Sequence, residues 1–228
     1  MGRVLTSAIV AACLAVGVAP LSVHGEGNDA QRKPAARKPP ARTAKPVPAK
    51  TATPDVKCAS LVGMGVKTVR SFCDVPVSND PAQGILIILP PHTGPGTLTF
   101  DLHARHVYSE DEIKRGKAFA RYRAGIAVAT MKGDVLTRGG VEAEFRTAAD
   151  LFDRIGGGAG PGSLKAVAPA GRQEVTVTVP ANVDQVSIVG ETLDALTPAG
   201  RETSVMAGRP VAIVSNMLFE YRPAPAKR

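Results

Sequence analysis

The segment His103-Ala104-Arg105-His106, with His92 upstream, holds three of the chain's four histidines and is the first place to look for metal chemistry. Zinc binds imidazole nitrogens in tetrahedral geometry, so two of these rings would have to reach one ion. The flanking residues alternate as a strand does, and strand side chains three apart point to opposite faces. His103 and His106 are therefore expected to serve separate surroundings, and neither a metal nor another cofactor is expected. Glu110-Asp111-Glu112 offers oxygen ligands of the kind calcium takes. Ser109 before this run and Lys114-Arg115 after it fit a capped helix start better, because acids stabilise a helix N-terminus.

Other chemistries fail on spacing. Glu142 and Glu144 share one strand face, and an exposed polar face explains them without paired-carboxylate catalysis. The run Gly156-Gly157-Gly158-Ala159-Gly160-Pro161-Gly162 is glycine-rich like a phosphate cradle. Such a cradle follows a strand, opens a helix and ends in Lys-Ser/Thr. Here a helical pattern precedes it, a strand follows, and Ser163-Leu164-Lys165 has the reverse order. No G-x-S-x-G elbow occurs. No catalytic residue is assigned, and the expectation is a protein that is not an enzyme. An enzyme of unrecognised class would have to draw on His103, His106, Glu110, Asp111 and Glu112.

The N-terminal residues set the compartment. Arg3 precedes an apolar run, VLTSAIVAACLAVGVAPLSV, and Val23 and Gly25 suit the small-residue positions of a signal cleavage after Gly25. Two alternatives stand beside it. Val10-Ala11-Ala12-Cys13 has the form of a lipoprotein box, although the apolar run continues past Cys13. An uncleaved anchor would sit at the short end of the ~17–25 residues a spanning helix needs. Residues 26–57 then carry eight Lys or Arg, three acids and six Pro. So few large apolar side chains cannot offset the entropy of ordering, and the segment is expected to be a disordered tether. Its basic character also allows weak contact with anionic envelope polymers.

Export in turn gives the cysteines a meaning. With Cys13 in the signal, Cys58 and Cys73 remain, and a pair in an oxidising compartment reads as a disulfide. Arg3 and the tether account for six of the chain's +8 charges, leaving about neutral the 58–228 body that would have to carry a nucleic-acid footprint. Nucleic acid is excluded as a partner on that ground.

Strands are needed to position all of these residues. ILIIL at 85–89 reads as a buried strand ending at Pro90-Pro91. Residues 97–107 alternate with Leu98, Phe100, Leu102 and Ala104 on one face and Thr99, Asp101, His103 and Arg105 on the other. Residues 118–131, 135–145, 173–179, 185–189, 193–196 and 211–221 continue as strands, rich in β-branched side chains. Ser109 to Glu112 predicts a helix start, and Thr147 to Ile155 shows helical spacing of Ala148, Leu151, Phe152 and Ile155. Eight or nine strands without βαβ alternation predict an all-β fold: a single antiparallel β-sandwich, jelly-roll-like or Ig-like, with one or two short helices. The closing half is similar in pattern to the end of secreted jelly-roll sandwiches, with no motif that carries site residues.

Function is read from what remains. A secreted or envelope-associated, periplasmic or extracellular domain of 58–228, held on a tether, is expected to bind another envelope or secreted protein. The alternative is a carbohydrate-binding module. The chain has no Trp and only Tyr108, Tyr122 and Tyr221 to supply the flat aromatic contact such modules use.

Overall fold

The computed structural model describes residues 47–156 and 166–225, apart from the Tyr108 side chain. The signal segment with its cut after Gly25, Cys13, most of the tether and residues 157–165 lie outside them. The described chain forms twelve strands and one short helix: β1 (Lys50–Ala52), β2 (Asp55–Lys57), β3 (Ser60–Met64), β4 (Ser71–Pro76), β5 (Ile85–Ile88), β6 (His92–Tyr108), α1 (Glu110–Lys114), β7 (Ala120–Thr130), β8 (Val135–Phe145), β9 (Ala166–Val179), β10 (Gln185–Thr197), β11 (Gly200–Ser204) and β12 (Pro210–Pro223).

These strands make two six-stranded sheets. Sheet A runs β3-β4-β12-β6-β9, with β1 added on β12; sheet B runs β2-β5-β10-β7-β8, with β11 added on β10. Every pairing between named strands is antiparallel. The expected antiparallel sandwich is what the chain forms. Alternation explains the layers: Leu98, Phe100 and Leu102 of β6 point inward to meet Tyr122, Ile126 and Val128 of β7 and Phe145 of β8 in one core. Each fully buried Phe contributes about 2–3 kcal/mol by area alone, so this interior, rather than the rims, carries the stability.

Four readings change. First, β1 and β2 fall inside the segment expected to be tether: Lys50–Ala52 pairs with β12 and Asp55–Lys57 with β5. Short polar strands lack a hydrophobic signature, and here partner strands supply the ladder. Second, the two short strands expected at 185–189 and 193–196 are one strand, bulged between Gly190 and Thr192. Third, β3, β4 and β11 had no expected counterpart.

Fourth, the helix expected from Thr147 to Ile155 is a single 3₁₀ turn, Ala148–Asp150, after which Leu151 is extended with φ −70° and ψ 132°. Asp150 turns back to accept from the amides of Arg146 and Thr147, each at 2.8 Å, which closes the turn early. The chain beyond it bonds to β9 and to the loop after β3 instead: Phe152 N donates to Pro169 O at 2.9 Å, and Val66 N to Arg154 O at 2.8 Å. By contrast α1 starts as expected, with the Ser109 hydroxyl accepting from the Glu112 amide.

Candidate functional site

The two central histidines of β6 face opposite ways, as strand alternation requires. His103 lies on the outer side of sheet A, yet it is fully buried. Residues 147–156 strap across that side and bring the Phe152 ring to 4.4 Å from the imidazole. Its Nδ1 lies 2.7 Å from the Gly171 carbonyl and its Nε2 3.0 Å from Ser215 Oγ. A carbonyl only accepts, so the proton sits on Nδ1 and Nε2 accepts from the serine. Burial pushes this imidazole below its usual pKa, against the pull of the Gly171 carbonyl. Gly171 can place its carbonyl there because it adopts φ 64° at a bulge, with Ala143 Cβ only 2.8 Å from where a side chain would start.

Next to His103 the buried Asp101 accepts from Arg70 and Arg172, each at 2.9 Å. Asp153 pins the strap. Burial would raise its carboxyl pKa, yet donors from Lys67 N, Thr68 N, Thr68 Oγ1 and Arg154 N hold it below the ordinary range. Every polar atom named in this cluster is spent on a neighbour. It is a closed fastening of loop to sheet.

His106 points between the sheets, stacked on Phe145 with ring centroids 3.7 Å apart. Its Nδ1 lies 2.8 Å from the Tyr122 hydroxyl. Burial drives the imidazole pKa down to about 4 and pushes the Tyr122 phenol up to about 12. The ring borders a cleft of about 590 Å³ at one end of the sandwich, between the α1–β7 corner and the β10–β11 hairpin. Glu112 lines the same cleft, whereas Glu110 and Asp111 do not. So the residues weighed for catalysis do not converge. Among the described residues no group of three or more His, Cys, Asp or Glu side chains is placed to hold a metal ion.

Cys58 and Cys73 are bridged, with Cα atoms 5.4 Å apart. The bridge ties the β2–β3 connection to β4 across a sequence separation of 15 and stabilises by about 3 kcal/mol in the chain-entropy model. Beside it opens a groove of about 740 Å³, lined by Val56, Leu61, Val69, Met217 and Leu218 among others. Asn216 sits at a bulge of β12 with φ 55° and Val69 on a tight loop with φ 54°. A β-branched residue at positive φ is costly. Nevertheless Val69 is held there by Gly65 N donating to Arg70 O and Val69 N to Gly65 O. Leu61 (65% exposed), Val66 (67%) and Val69 (73%) leave apolar surface in solvent.

Edge strands differ around the molecule. β1, β2, β8, β9 and β11 each carry Lys, Arg, Asp or Glu, while β3 reads Ser-Leu-Val-Gly-Met. Its far end is bridged by Gly156 N donating to Met64 O at 2.8 Å. Its near end, Ser60 and Leu61, pairs with β4. Glu142 and Glu144 of β8 do occupy an exposed polar face, paired across the ladder with Arg123 at 3.0 Å and Arg121 at 2.6 Å.

Of the tyrosines, Tyr122 is buried and Tyr221 is half-buried, stacked on Phe219 at 5.3 Å. Neither stands as an open platform for a sugar ring. No helix among the described residues is long and apolar enough to cross a membrane.

No family model and no curated protein matches the sequence. Among solved structures the chain is similar to the K1 cleaved adhesin domain of Lys-gingipain from Porphyromonas gingivalis W83, at 12% identity over 78% of this chain and 99% of that one, with a TM-score of 0.30. It is similar also to the K3 cleaved adhesin domain of the same protein, at 13% identity over 76% of this chain and 91% of that one, with a TM-score of 0.33. The sandwich assignment rests on the strand pairing and not on these likenesses.

Two features were not anticipated from sequence. The groove had no distinguishing signal, because the uncharged stretch from Cys58 to Val66 is outrun by the one from Pro81 to Phe100. The end cleft had none, since it gathers residues from two distant parts of the chain.

Proposed function

We propose that the folded body is a non-catalytic binding domain of an exported, envelope-associated protein, and that it docks a partner protein in the groove beside the disulfide. The observation that carries this reading is the contrast at the rim. β3 and its following loop present Leu61, Val66 and Val69 to solvent, while the other edge strands are charged. Charged edges discourage association; an exposed apolar patch next to uncharged backbone invites it. The occupant is an extended apolar segment of another protein, laid along Ser60 and Leu61 with one side chain lowered between Val69 and Leu218. The bridge at Cys58–Cys73 supports export, because such bonds persist in oxidising compartments. A basic tether upstream would let the domain reach that partner from a surface.

The test is crosslinking capture from the native envelope with the full chain, run beside a Leu61→Lys variant. A protein enriched by the natural chain and lost from the variant supports the groove. Equal enrichment by both removes it.

A further inference from the structure

Two concavities, not one, flank the near end of β3. Leu61, Cys73 and Val214 help line the groove of about 740 Å³. Ser60 and Asp74 help line a second pocket of about 480 Å³, together with Ser78, Gln83 and Ala207. These two rows face opposite ways. Leu61 stands opposite Cys73, Cys73 opposite Val214 and Val214 opposite Leu102, and the last three belong to the core. Directly opposed residues share a face of the sheet, so this row looks inward. One position along, Ser60, Asp74, Ile213 and His103 make the matching row on the outer face.

A strand added at a sheet edge sends successive side chains to alternate faces. Main-chain bonds then supply affinity, and pockets for alternate side chains supply specificity. A segment laid along Ser60 and Leu61 therefore lowers one residue toward the groove and turns its neighbour toward the second pocket. The two pockets differ in chemistry. The groove offers apolar surface from Val56, Leu61 and Met217. The second pocket offers the hydroxyls of Ser60 and Ser78 and the amide of Gln83, and its one charged lining residue is Asp74. That carboxylate is 5% exposed and already accepts from Arg105 Nε at 2.8 Å, so its charge is balanced. A charged guest there would stand without a counter-ion, whereas a neutral side chain that donates and accepts is matched.

Given β3 as the docking edge, the reading on which this rests, we propose that the chain selects its partner by two adjacent residues. An apolar one enters the groove, and a short neutral polar one (Ser, Thr or Asn) enters the second pocket. The docked segment alternates in character as a strand with two differently served faces must.

The probe is acetyl-Ser-Leu-Ser-Leu-Ser-amide, titrated into the isotopically labelled full chain and followed at the backbone amides of Leu61 and Gln83. Acetyl-Leu-Leu-Ser-Ser-Ser-amide keeps the composition without the alternation, and acetyl-Asp-Leu-Asp-Leu-Asp-amide keeps the alternation with charge. The first peptide should move both amides and bind at least about tenfold tighter than either of the others. Gln83→Lys, a change at an exposed side chain of the second pocket, should tighten the Asp peptide at least about fivefold, and Glu142→Lys on β8 should not. Equal binding of the alternating and block peptides overturns the two-residue selection. So does equal binding of the Ser and Asp peptides to the natural chain, or a Gln83 amide that stays still while Leu61 moves. In each of these cases the docking edge itself survives. If no peptide moves Leu61, the edge is overturned and the selection falls with it.

Discussion

The two rims of the sandwich are built on opposite principles. At β8 the ladder is dressed with alternating charge: Glu142 faces Arg123 and Glu144 faces Arg121, with Arg146 adding a second bond to Glu144. At β3 the exposed side chains are Ser60, Leu61 and Met64, and the loop beyond adds Val66 and Val69. A charged rim keeps a sheet edge from pairing with strangers; an uncharged edge strand with exposed apolar side chains lacks that protection. The bridge from Cys58 to Cys73 stands at the second rim, where β3 and the neighbouring short strand β2 have little core of their own to hold them.

That contrast can be broken most severely at the bridge. Replacing Cys58 and Cys73 with alanine should cost about 3 kcal/mol, read as a fall in denaturation midpoint. It should also abolish partner capture by releasing β3, while the Arg–Glu ladder of β8 stays formed in the residual fold.

Acid acts next, on the interior and therefore on both rims alike. His106 has its folded pKa lowered to about 4 from 6.5, and His103 is lowered in the same direction. An unfolded chain binds more protons than the folded one between those values. Stability is therefore full above about pH 6.5 and falls as pH drops toward 4. For His106 the loss approaches about 3 kcal/mol at its limit. Thermal midpoints from pH 7 to 4.5 should show it, and His106→Gln should flatten the slope.

Leu61→Lys disturbs the fold less. An exposed side chain changes stability little, so the midpoint should hold while partner affinity drops at least about tenfold. The smallest effect belongs to the charged rim. Arg123→Glu should move neither midpoint nor partner affinity measurably at physiological salt, because exposed ion pairs are screened. Raising salt should likewise leave capture at the apolar groove intact.

How much of this was legible depends on how local each signal is. The inward row Leu98, Phe100, Leu102, Ala104 and the opposed directions of His103 and His106 follow from a period of two along one strand, and both hold. The capped start at Ser109 is equally local and is present. The strap at 147–156 was unreadable because its helical spacing of Leu151, Phe152 and Ile155 competes with partners far away: the Lys67 and Thr68 amides on Asp153, and Pro169 on Phe152. Tertiary bonds won over local pattern. For the same reason the outer face of β6 looks polar in sequence yet buries Asp101 and His103, the latter against Phe152 of that strap. The cleft and the groove could not be seen at all, since each joins residues from separate stretches, 105–122 with 193–210 and 53–73 with 214–218.

If a partner sits on the uncharged rim and not on the charged one, the two rims must differ in what lies within reach of them. A photo-crosslinking amino acid placed at Leu61, and separately at Glu142, in the full chain expressed in its own envelope tests this directly. A discrete crosslinked product is expected from position 61 and none from position 142. Products of equal yield from both positions, or from 142 alone, would contradict it.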